Sequence, residues 1–278
     1  MKKHLLLSLL LFPLISNAKT YYVKNSGVDP SDCSGGKTHA TAWKSISQVN
    51  SCVKKIGDDV YFLAGNSWRG QLIVDWAGES LSNYAIIGSY YLKNGSVTIG
   101  VPSGTKKPTF IGGYNLSQPA RGNMPVSEDA GLIVIKANYV RISNMRVEKS
   151  SGVGIKLQKD FHHALIEKSE VYITAAGSIL FSWGTHNNIM RDNDVSRCEQ
   201  AWHDGLSSRW QVCNGAIGSR YNIIERNYVH ESWGEGIVAY GAGANNNIIR
   251  DNTIAAVRSG NIYRDNGQNN IVERNFIV

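Results

Sequence analysis

Short apolar runs that end in asparagine recur along the second half of the chain. The segment Asn-Ile-Met-Arg-Asp-Asn at 188–193 returns in related form at 222–227, 247–252 and 270–275, with weaker copies at 139–144 and 164–169. The last residues of successive copies are 25, 24, 34, 25 and 23 positions apart. A period in the low twenties, with β-branched strands between Asn and Gly turns, predicts a β-solenoid in which each period is one coil. Equivalent residues would then stack about 4.8 Å apart along the axis.

The polar and apolar positions of the repeat have different expected roles. Stacked asparagine amides can satisfy each other's hydrogen bonds when they are buried, so the closing asparagines predict an internal ladder. The ladder residues are Asn193, Asn227, Asn252 and Asn275. The isoleucines predicted to lie in the core are Ile223, Ile248 and Ile271.

Residues 40–53 have the pattern of a short helix that would cover the open end of a solenoid core. Thr41 is the predicted N-cap, because its hydroxyl can accept a hydrogen bond from the first turn. The apolar residues expected on one face of this helix are Trp43, Ile46, Val49 and Val53.

The first 18 residues are predicted to be a signal peptide. Lys2 and Lys3 precede an apolar run from Leu5 to Ile15, and the small residues up to Ala18 suit a signal peptidase. That run is too short for a membrane span, and no later segment approaches about 18 unbroken apolar residues. The mature chain is therefore expected to begin at Lys19 and to be secreted or periplasmic.

Composition narrows the classes of partner. The chain of 278 residues is 42% hydrophobic, enough for a sizeable core in one elongated domain or two compact ones. Removal of Lys2 and Lys3 lowers the formal net charge by two from +7. This mild excess suits either an acidic polymer or a solubilising surface, and the basic residues are too scattered to indicate nucleic-acid binding.

Four cysteines fit two disulfides in an exported protein. Sequence proximity favours Cys33–Cys52 and Cys198–Cys213 among the three possible pairings. A zinc site is less favoured, because no two of these cysteines have the close spacing of zinc ligands.

The coil pattern, the asparagine column and the signal peptide together resemble the right-handed parallel β-helix superfamily of pectate lyases and polygalacturonases. The N-terminal segments that share this resemblance are 21–23, 40–43, 57–60 and 67–70. It implies an all-β parallel β-helix with an N-terminal capping helix, divided into residues 19–110 (cap and first coils) and 111–278 (coils). Because 275–278 stops within a coil, the chain is expected either to be C-terminally truncated or to associate through its end.

Two acids mark the candidate chemistry. When the strands after the asparagine turns are aligned on the isoleucine column, with Leu206 beside Ile237, Asp204 and Glu235 are the only acids of their column. Trp202 and Trp233 stand two places before them. Stacking predicts carboxylates about 5–8 Å apart on adjacent coils, a range that covers the separations in glycosidases. The same pair could ligate Ca²⁺, or could cap turns through backbone N–H groups.

Further residues are expected around this pair. Strand parity places Lys156, Arg209, Tyr240 and Tyr263 on the outward face, where Arg209 would neutralise a uronate and Tyr240 or His203 would transfer protons. Lys156, Tyr263 and the two tryptophans would bind substrate. The long coil between Asn193 and Asn227 indicates insertions on both sides of the strand that carries Asp204.

Three functions remain open on these grounds. The first is an exported carbohydrate-active enzyme, a polysaccharide lyase or glycosidase whose substrate could be acidic. The second is a non-catalytic envelope or polysaccharide-binding β-helix. The third, maturation of a metal site, is the weakest, because the histidines do not align in a column. The sequence implies no cofactor with certainty, and it does not indicate the oligomeric state.

Overall fold

The computed structural model describes residues 18–113, 131–200 and 212–278. Within these ranges the strands form three sheets, and each coil adds one strand to each sheet in parallel with its predecessor. This is the arrangement of a parallel β-helix, so the predicted all-β solenoid is confirmed. The chain reaches it because short strands, most of them three to six residues long, alternate with corners, which lets successive coils stack in register.

The strands are numbered in chain order. The first sheet contains β1 (Thr20–Val23), β2 (Asp59–Leu63), β5 (Ala85–Lys93), β9 (Val140–Ser143), β12 (Leu165–Glu167), β15 (Ile189–Arg191), β18 (Ile223–Glu225), β21 (Ile248–Arg250) and β24 (Ile271–Glu273), with β6 (Ser96–Ile99) antiparallel to β5. The second contains β3 (Ser67–Arg69), β7 (Thr109–Ile111), β10 (Arg146–Ser150), β13 (Glu170–Thr174), β16 (Asp194–Ser196), β19 (Tyr228–Ser232), β22 (Thr253–Val257) and β25 (Phe276–Ile277). The third contains β4 (Leu72–Val74), β8 (Gly131–Ile135), β11 (Val153–Leu157), β14 (Ile179–Phe181), β17 (Val212–Ile217), β20 (Glu235–Tyr240) and β23 (Ile262–Asp265).

The asparagine ladder is confirmed and has a companion. The Asn193 side chain donates to the Asn227 side-chain oxygen at 3.0 Å, and Asn227 donates to Asn252 at 3.0 Å. Asn252 donates in turn to Asn275 at 2.9 Å. A second ladder, not predicted, runs through the first asparagine of each repeat: Asn188, Asn222, Asn247 and Asn270. Each three-residue strand of the first sheet in these coils is therefore held between two rows of buried amides.

The prediction that Ile223, Ile248 and Ile271 are core residues is wrong. The central residues Ile224 and Ile249 of the same strands are fully buried, whereas the three predicted residues are partly or well exposed. The reason is that residues with positive φ flank each repeat, and in so short a strand only the central side chain then points inward.

The N-terminal cap is present, with a different first residue. Helix α1 (Ile46–Cys52) is capped by Ser45, whose hydroxyl accepts from the Gln48 N–H at 3.1 Å. The prediction of Thr41 as N-cap is therefore wrong, because the helix begins four residues later. The predicted apolar face is buried in the main core, as expected: Trp43, Ile46, Val49 and Val53.

Both predicted disulfides are confirmed, Cys33–Cys52 and Cys198–Cys213. The first ties an N-terminal loop to the end of α1. No helix in the described ranges is long and apolar enough to cross a membrane. Residues 1–17, and with them nearly all of the predicted signal peptide, lie outside the described part of the chain.

Candidate functional site

The register of the third sheet differs from the predicted alignment. The isoleucine column runs Ile179, Asn214, Ile237, so Asn214 and not Leu206 stands beside Ile237. Val212 consequently occupies the position paired with Glu235. The inference that Asp204 stacks on Glu235 in adjacent strands is therefore wrong, because the strand of the long coil begins eight residues later than the aspartate.

The long coil contains one insertion before its third-sheet strand, rather than one on each side. It connects β16 to β17, and its base is closed by the buried disulfide Cys198–Cys213. Buried Glu199 adds a second closure, because its carboxylate accepts from the Val212 N–H at 2.8 Å. Four predicted site residues fall in 201–211, outside the described residues, and their roles stay predictions: Trp202, His203, Asp204 and Arg209.

Glu235 faces outward because of the glycine that follows it. A Cβ on Gly236 would lie 3.2 Å from the Ile254 side chain, which belongs to the core. Since Gly236 is turned inward, the preceding carboxylate is turned away from the core. Its Cγ is 3.8 Å from where a Cβ on Gly260 would stand, so the neighbouring coil leaves room for it.

The electrostatic setting of Glu235 is unusual for a surface acid. Burial raises the pKa of its carboxyl above the ordinary value, and a hydrogen bond from its own backbone N–H only partly offsets this. Among the residues in 18–113, 131–200 and 212–278, no cation forms an ion pair with it. Its position is flanked on one side by apolar Val212 and on the other by Gly260. A half-buried carboxyl without a counter-charge holds its proton more tightly than an exposed one, which suits it to proton transfer.

An open pocket of about 360 Å³ lies two residues from Glu235, at the corner between the second and third sheets. Arg258 places its guanidinium 4.1 Å from the centre of the Trp233 ring, a cation–π contact. Arg197 is paired with Glu231 at 2.8 Å on the opposite wall. The Trp233 N–H donates to the Cys198 carbonyl, so Trp233 is level with the base of the insertion. The predicted binding residue Trp233 therefore lines this pocket. Of the two arginines among the described lining residues, Arg197 is in an ion pair and Arg258 is stacked on Trp233.

Tyr263 lies on the other side of Glu235. Its Cβ is 3.7 Å from where a Cβ on Gly260 would be, next to the Glu235 side chain. The Asp265 carboxylate raises the pKa of the Tyr263 hydroxyl, which donates to it at 3.4 Å. Tyr240, at the far end of β20, stacks on Tyr263 with ring centres 6.3 Å apart. The structure thus brings three of the predicted residues, Glu235, Tyr263 and Tyr240, onto one face.

Lys156 does not join this group. It is on the outward side of β11, aligned with Leu180 of the next strand, and is buried to 2% exposure. Its column continues through Gly215 and Val238 before it reaches Tyr263, so four inter-strand steps separate the two residues. The outward face beside it is a buried apolar cluster that contains Val153, Ala176, Leu180, Val212, Ile217 and Val238. The outward face of the third sheet around Lys156 is therefore packed with apolar side chains rather than open to solvent.

The histidines do align, in contrast to the sequence-based expectation. His162 and His186 are paired in adjacent coils, with stacked rings 4.9 Å apart, and the His162 and His163 Nδ1 atoms are 2.6 Å apart. Burial lowers the pKa of His163, and the neighbouring His162 lowers it further. No group of three or more His, Cys, Asp or Glu side chains in the described ranges has the geometry to hold a metal ion. Ca²⁺ binding by Glu235 together with Asp204 stays a prediction, because Asp204 lies outside the described residues.

Comparison with known proteins assigns the chain to a family. The family model described as "Right handed beta helix region" matches residues 130–278, more than half of the sequence. The chain belongs to the right-handed β-helix family. No curated protein sequence matches this β-helix.

Solved structures resemble the β-helix in fold. A rhamnogalacturonan lyase aligns with a TM-score of 0.56 and 11% identity over 90% of this chain and 62% of that chain. Pectate lyase Pel9A aligns with a TM-score of 0.53 and 12% identity, over 95% of this chain and 79% of that chain. An alginate lyase from Paenibacillus sp. str. FPU-7 aligns with a TM-score of 0.51 and 15% identity, over 76% and 74%. Identities this low establish a shared fold and not a shared reaction.

Sequence reasoning missed two residues of this face of the β-helix. Arg258 follows the strand residue paired with Ser232 and is therefore level with Trp233, and an arginine beside a tryptophan is a signal for a cation–π pair. Trp183 was not singled out, although glycines follow the aligned strands in the next two coils, at Gly218 and Gly241. Those glycines were the available signal, because a large ring needs empty space beside it.

Proposed function

We propose that the protein is an exported carbohydrate-active enzyme that cleaves an acidic polysaccharide, with Glu235 as its proton-transfer group. The observation that carries the proposal is the setting of Glu235. Its carboxyl is half-buried and has a raised pKa, and Trp233, two residues before it in the chain, lines a pocket that also contains Arg258. The two disulfides fit the oxidising compartment that an exported protein occupies.

Among the described residues, the geometry supports a lyase better than a hydrolase. Glycosidases need a second carboxyl about 5–9.5 Å from the first. The strand position facing Glu235 is Val212, and the position on its other side is Gly260. A β-elimination instead needs one base and one cation for the uronate carboxylate, and Glu235 and Arg258 can fill those roles.

In this mechanism Arg258 binds the uronate carboxylate, since a guanidinium matches a carboxylate in charge and shape. The Glu235 carboxylate removes the proton on the carbon next to that carboxylate, and the negative charge that develops is stabilised by Arg258. The electron pair then forms a carbon–carbon double bond as the bond to the glycosidic oxygen breaks. The departing oxygen takes a proton from Tyr263, whose hydroxyl is kept protonated by Asp265.

A second candidate is a β-helix that binds polysaccharide without cleaving it. The strand pairing of Glu235 favours this binding function, because its partner is the apolar Val212, where a two-carboxylate enzyme would have an acid. The pocket formed around Trp233 and Arg258 would then serve for recognition alone.

The test uses purified mature protein and a panel of polygalacturonate, alginate and rhamnogalacturonan. A lyase produces the ultraviolet absorbance of a double bond conjugated to a carboxylate, whereas a hydrolase produces reducing ends without it. Glu235→Gln should lower turnover by about 10²- to 10⁴-fold, the usual contribution of an acid–base residue. Glu273→Gln, an acid on the first sheet, is the matched control and should have wild-type activity.

Two further results would separate the alternatives. Binding of a polymer without either product would favour the binding function. Loss of activity on adding a chelator, restored by Ca²⁺, would favour a Ca²⁺-dependent reaction over catalysis by side chains alone. Wild-type turnover in Glu235→Gln would remove the proposed role of this residue.

A further inference from the structure

Three exposed aromatic rings lie on, or just after, strands of the third sheet. Trp183 follows β14 and is 42% exposed, while Tyr240 at the end of β20 and Tyr263 in β23 are each 40% exposed. Backbone hydrogen bonds join the corners, from Gly184 to Gly218, from Gly218 to Tyr240, and from Gly241 to Asp265. We infer that these rings form a binding platform for uncharged sugar units of the same polysaccharide.

The backbone is shaped to hold the indole. A Cβ on Gly218 would lie 1.9 Å from the Trp183 ring, and a Cβ on Gly241 would lie 2.7 Å from it. Both glycines have positive φ, +57° and +96°, which other residues rarely adopt. Two successive coils therefore leave out a side chain where the indole crosses them, and the ring spans both coils while a large part of it stays in solvent. An exposed tryptophan held in this way is an anchor for a ligand and not a core residue.

The platform leads to the proposed catalytic carboxyl. Gly241 contacts Trp183 and directly follows Tyr240, which stacks on Tyr263. Tyr263 in turn lies beside Glu235. A chain of sugar units lying across the three rings would therefore end beside the Glu235 carboxyl, the proposed proton-transfer group.

Charge decides which sugars fit. Among the described residues, three carboxylates are placed against the platform: Asp160 at Gly184, Asp265 on the Tyr263 hydroxyl, and Glu235 beside Tyr263. These would repel uronates and would accept hydrogen bonds from sugar hydroxyls. The cation Arg258 lies instead against Trp233, in the pocket at the corner before β20. The two regions thus suit different units, an acidic one at Arg258 and neutral ones on the aromatic platform.

This inference rests on the proposed carbohydrate function, and its test measures binding rather than cleavage. Native gel electrophoresis in gels that contain galactan, glucomannan or xylan, compared with polygalacturonate and alginate, reports binding as retardation. Wild-type protein should be retarded by at least one neutral polymer, and Trp183→Ala should weaken that binding about tenfold, the effect of losing one aromatic contact. Trp183→Phe should retain part of it.

Tyr228→Ala is the control variant, because Tyr228 is 42% exposed but belongs to the second sheet. It should bind neutral polymers as the wild type does, and Arg258→Gln should do the same while it loses affinity for acidic ones. Thermal unfolding of each variant checks that the fold is retained. Equal retardation of Trp183→Ala and wild type, or binding of acidic polymers alone, would overturn the platform. Neutral binding through Trp183 without cleavage of any polymer would leave the platform in place and reject the catalytic proposal.

Discussion

The first and third sheets are built from the same coils but treat their polar groups differently. In the first sheet the buried asparagines are paired from coil to coil, and the outward charges are paired as well, with Arg250 bonded to Glu225 and Arg141 and Arg191 both bonded to Glu167. In the third sheet, and among the described residues, the Asn214 amide is buried without a hydrogen-bond partner and Glu235 has no counter-charge. The paired asparagines and ion pairs of the first sheet build the scaffold, whereas an unpaired amide and an unpaired acid in the third sheet are what a functional region would contain.

The largest stability effect is expected in the first sheet. Asn227→Leu removes an amide that donates to Asn252 and to two carbonyls, and it removes the oxygen that accepts from both the backbone N–H and the side-chain amide of Asn193. Each buried polar group that loses its partner costs about 1–3 kcal/mol, so we expect about 4 kcal/mol of destabilisation in urea unfolding. A loss below about 1 kcal/mol would show that the ladder is not what stabilises the coils.

The insertion of the third sheet depends on its disulfide. The bridge Cys198–Cys213 closes a segment with a sequence separation of 15, and loss of such a loop constraint costs about 3 kcal/mol. The double variant Cys198→Ala, Cys213→Ala should lower the urea midpoint accordingly and should also reduce polymer binding. Cys33→Ala with Cys52→Ala is the control, since it loosens the N-terminal cap and leaves the site intact. Equal effects of both double variants on binding would contradict a special role for the insertion.

Asn214→Leu removes a buried amide that is unpaired among the described residues, whereas Asn227→Leu removes one that is paired. The neighbours of Asn214 in the column are Ile179 and Ile237, and its amide has no partner in the described structure. A γ-branched apolar side chain removes the desolvation cost, so we expect a gain of about 1–2 kcal/mol where the same change at Asn227 is strongly destabilising. If both substitutions destabilise the protein equally, the two asparagines do not differ in the way described.

The smallest effect concerns the pH dependence of stability. Because the pKa of Glu235 is raised by burial, the folded protein holds its proton more tightly than the unfolded chain does. Stability from this group is therefore present below the ordinary glutamate pKa and is lost as pH rises through the raised value. Glu235→Gln should melt at the same temperature as wild type or slightly higher at neutral pH, and the difference should disappear in acid. A variant that melts lower at neutral pH would show that the carboxylate is stabilising.

Regular parts of the molecule were predictable and the irregular part was not. The solenoid, the ladder through Asn227 and both cysteine pairings followed from local spacing and from which residue types can stack. The N-cap was misplaced because Thr41 and Ser45 have equivalent hydroxyls, and only the position of the Gln48 N–H distinguishes them. The isoleucine assignment was wrong because position in a three-residue strand, not hydrophobicity, decides which side chain points inward.

The sequence by itself determined the period of the coils, the row of amides through Asn227 and the pairing of its four cysteines. These depend on contacts that repeat every coil, so a pattern in one dimension specifies them. Only the tertiary structure decided that Val212 faces Glu235, that Gly236 turns this carboxylate outward, and that Trp183 spans two later coils. Those facts depend on where the chain re-enters the sheet after an insertion and on space left by residues far away in sequence, which no local pattern records.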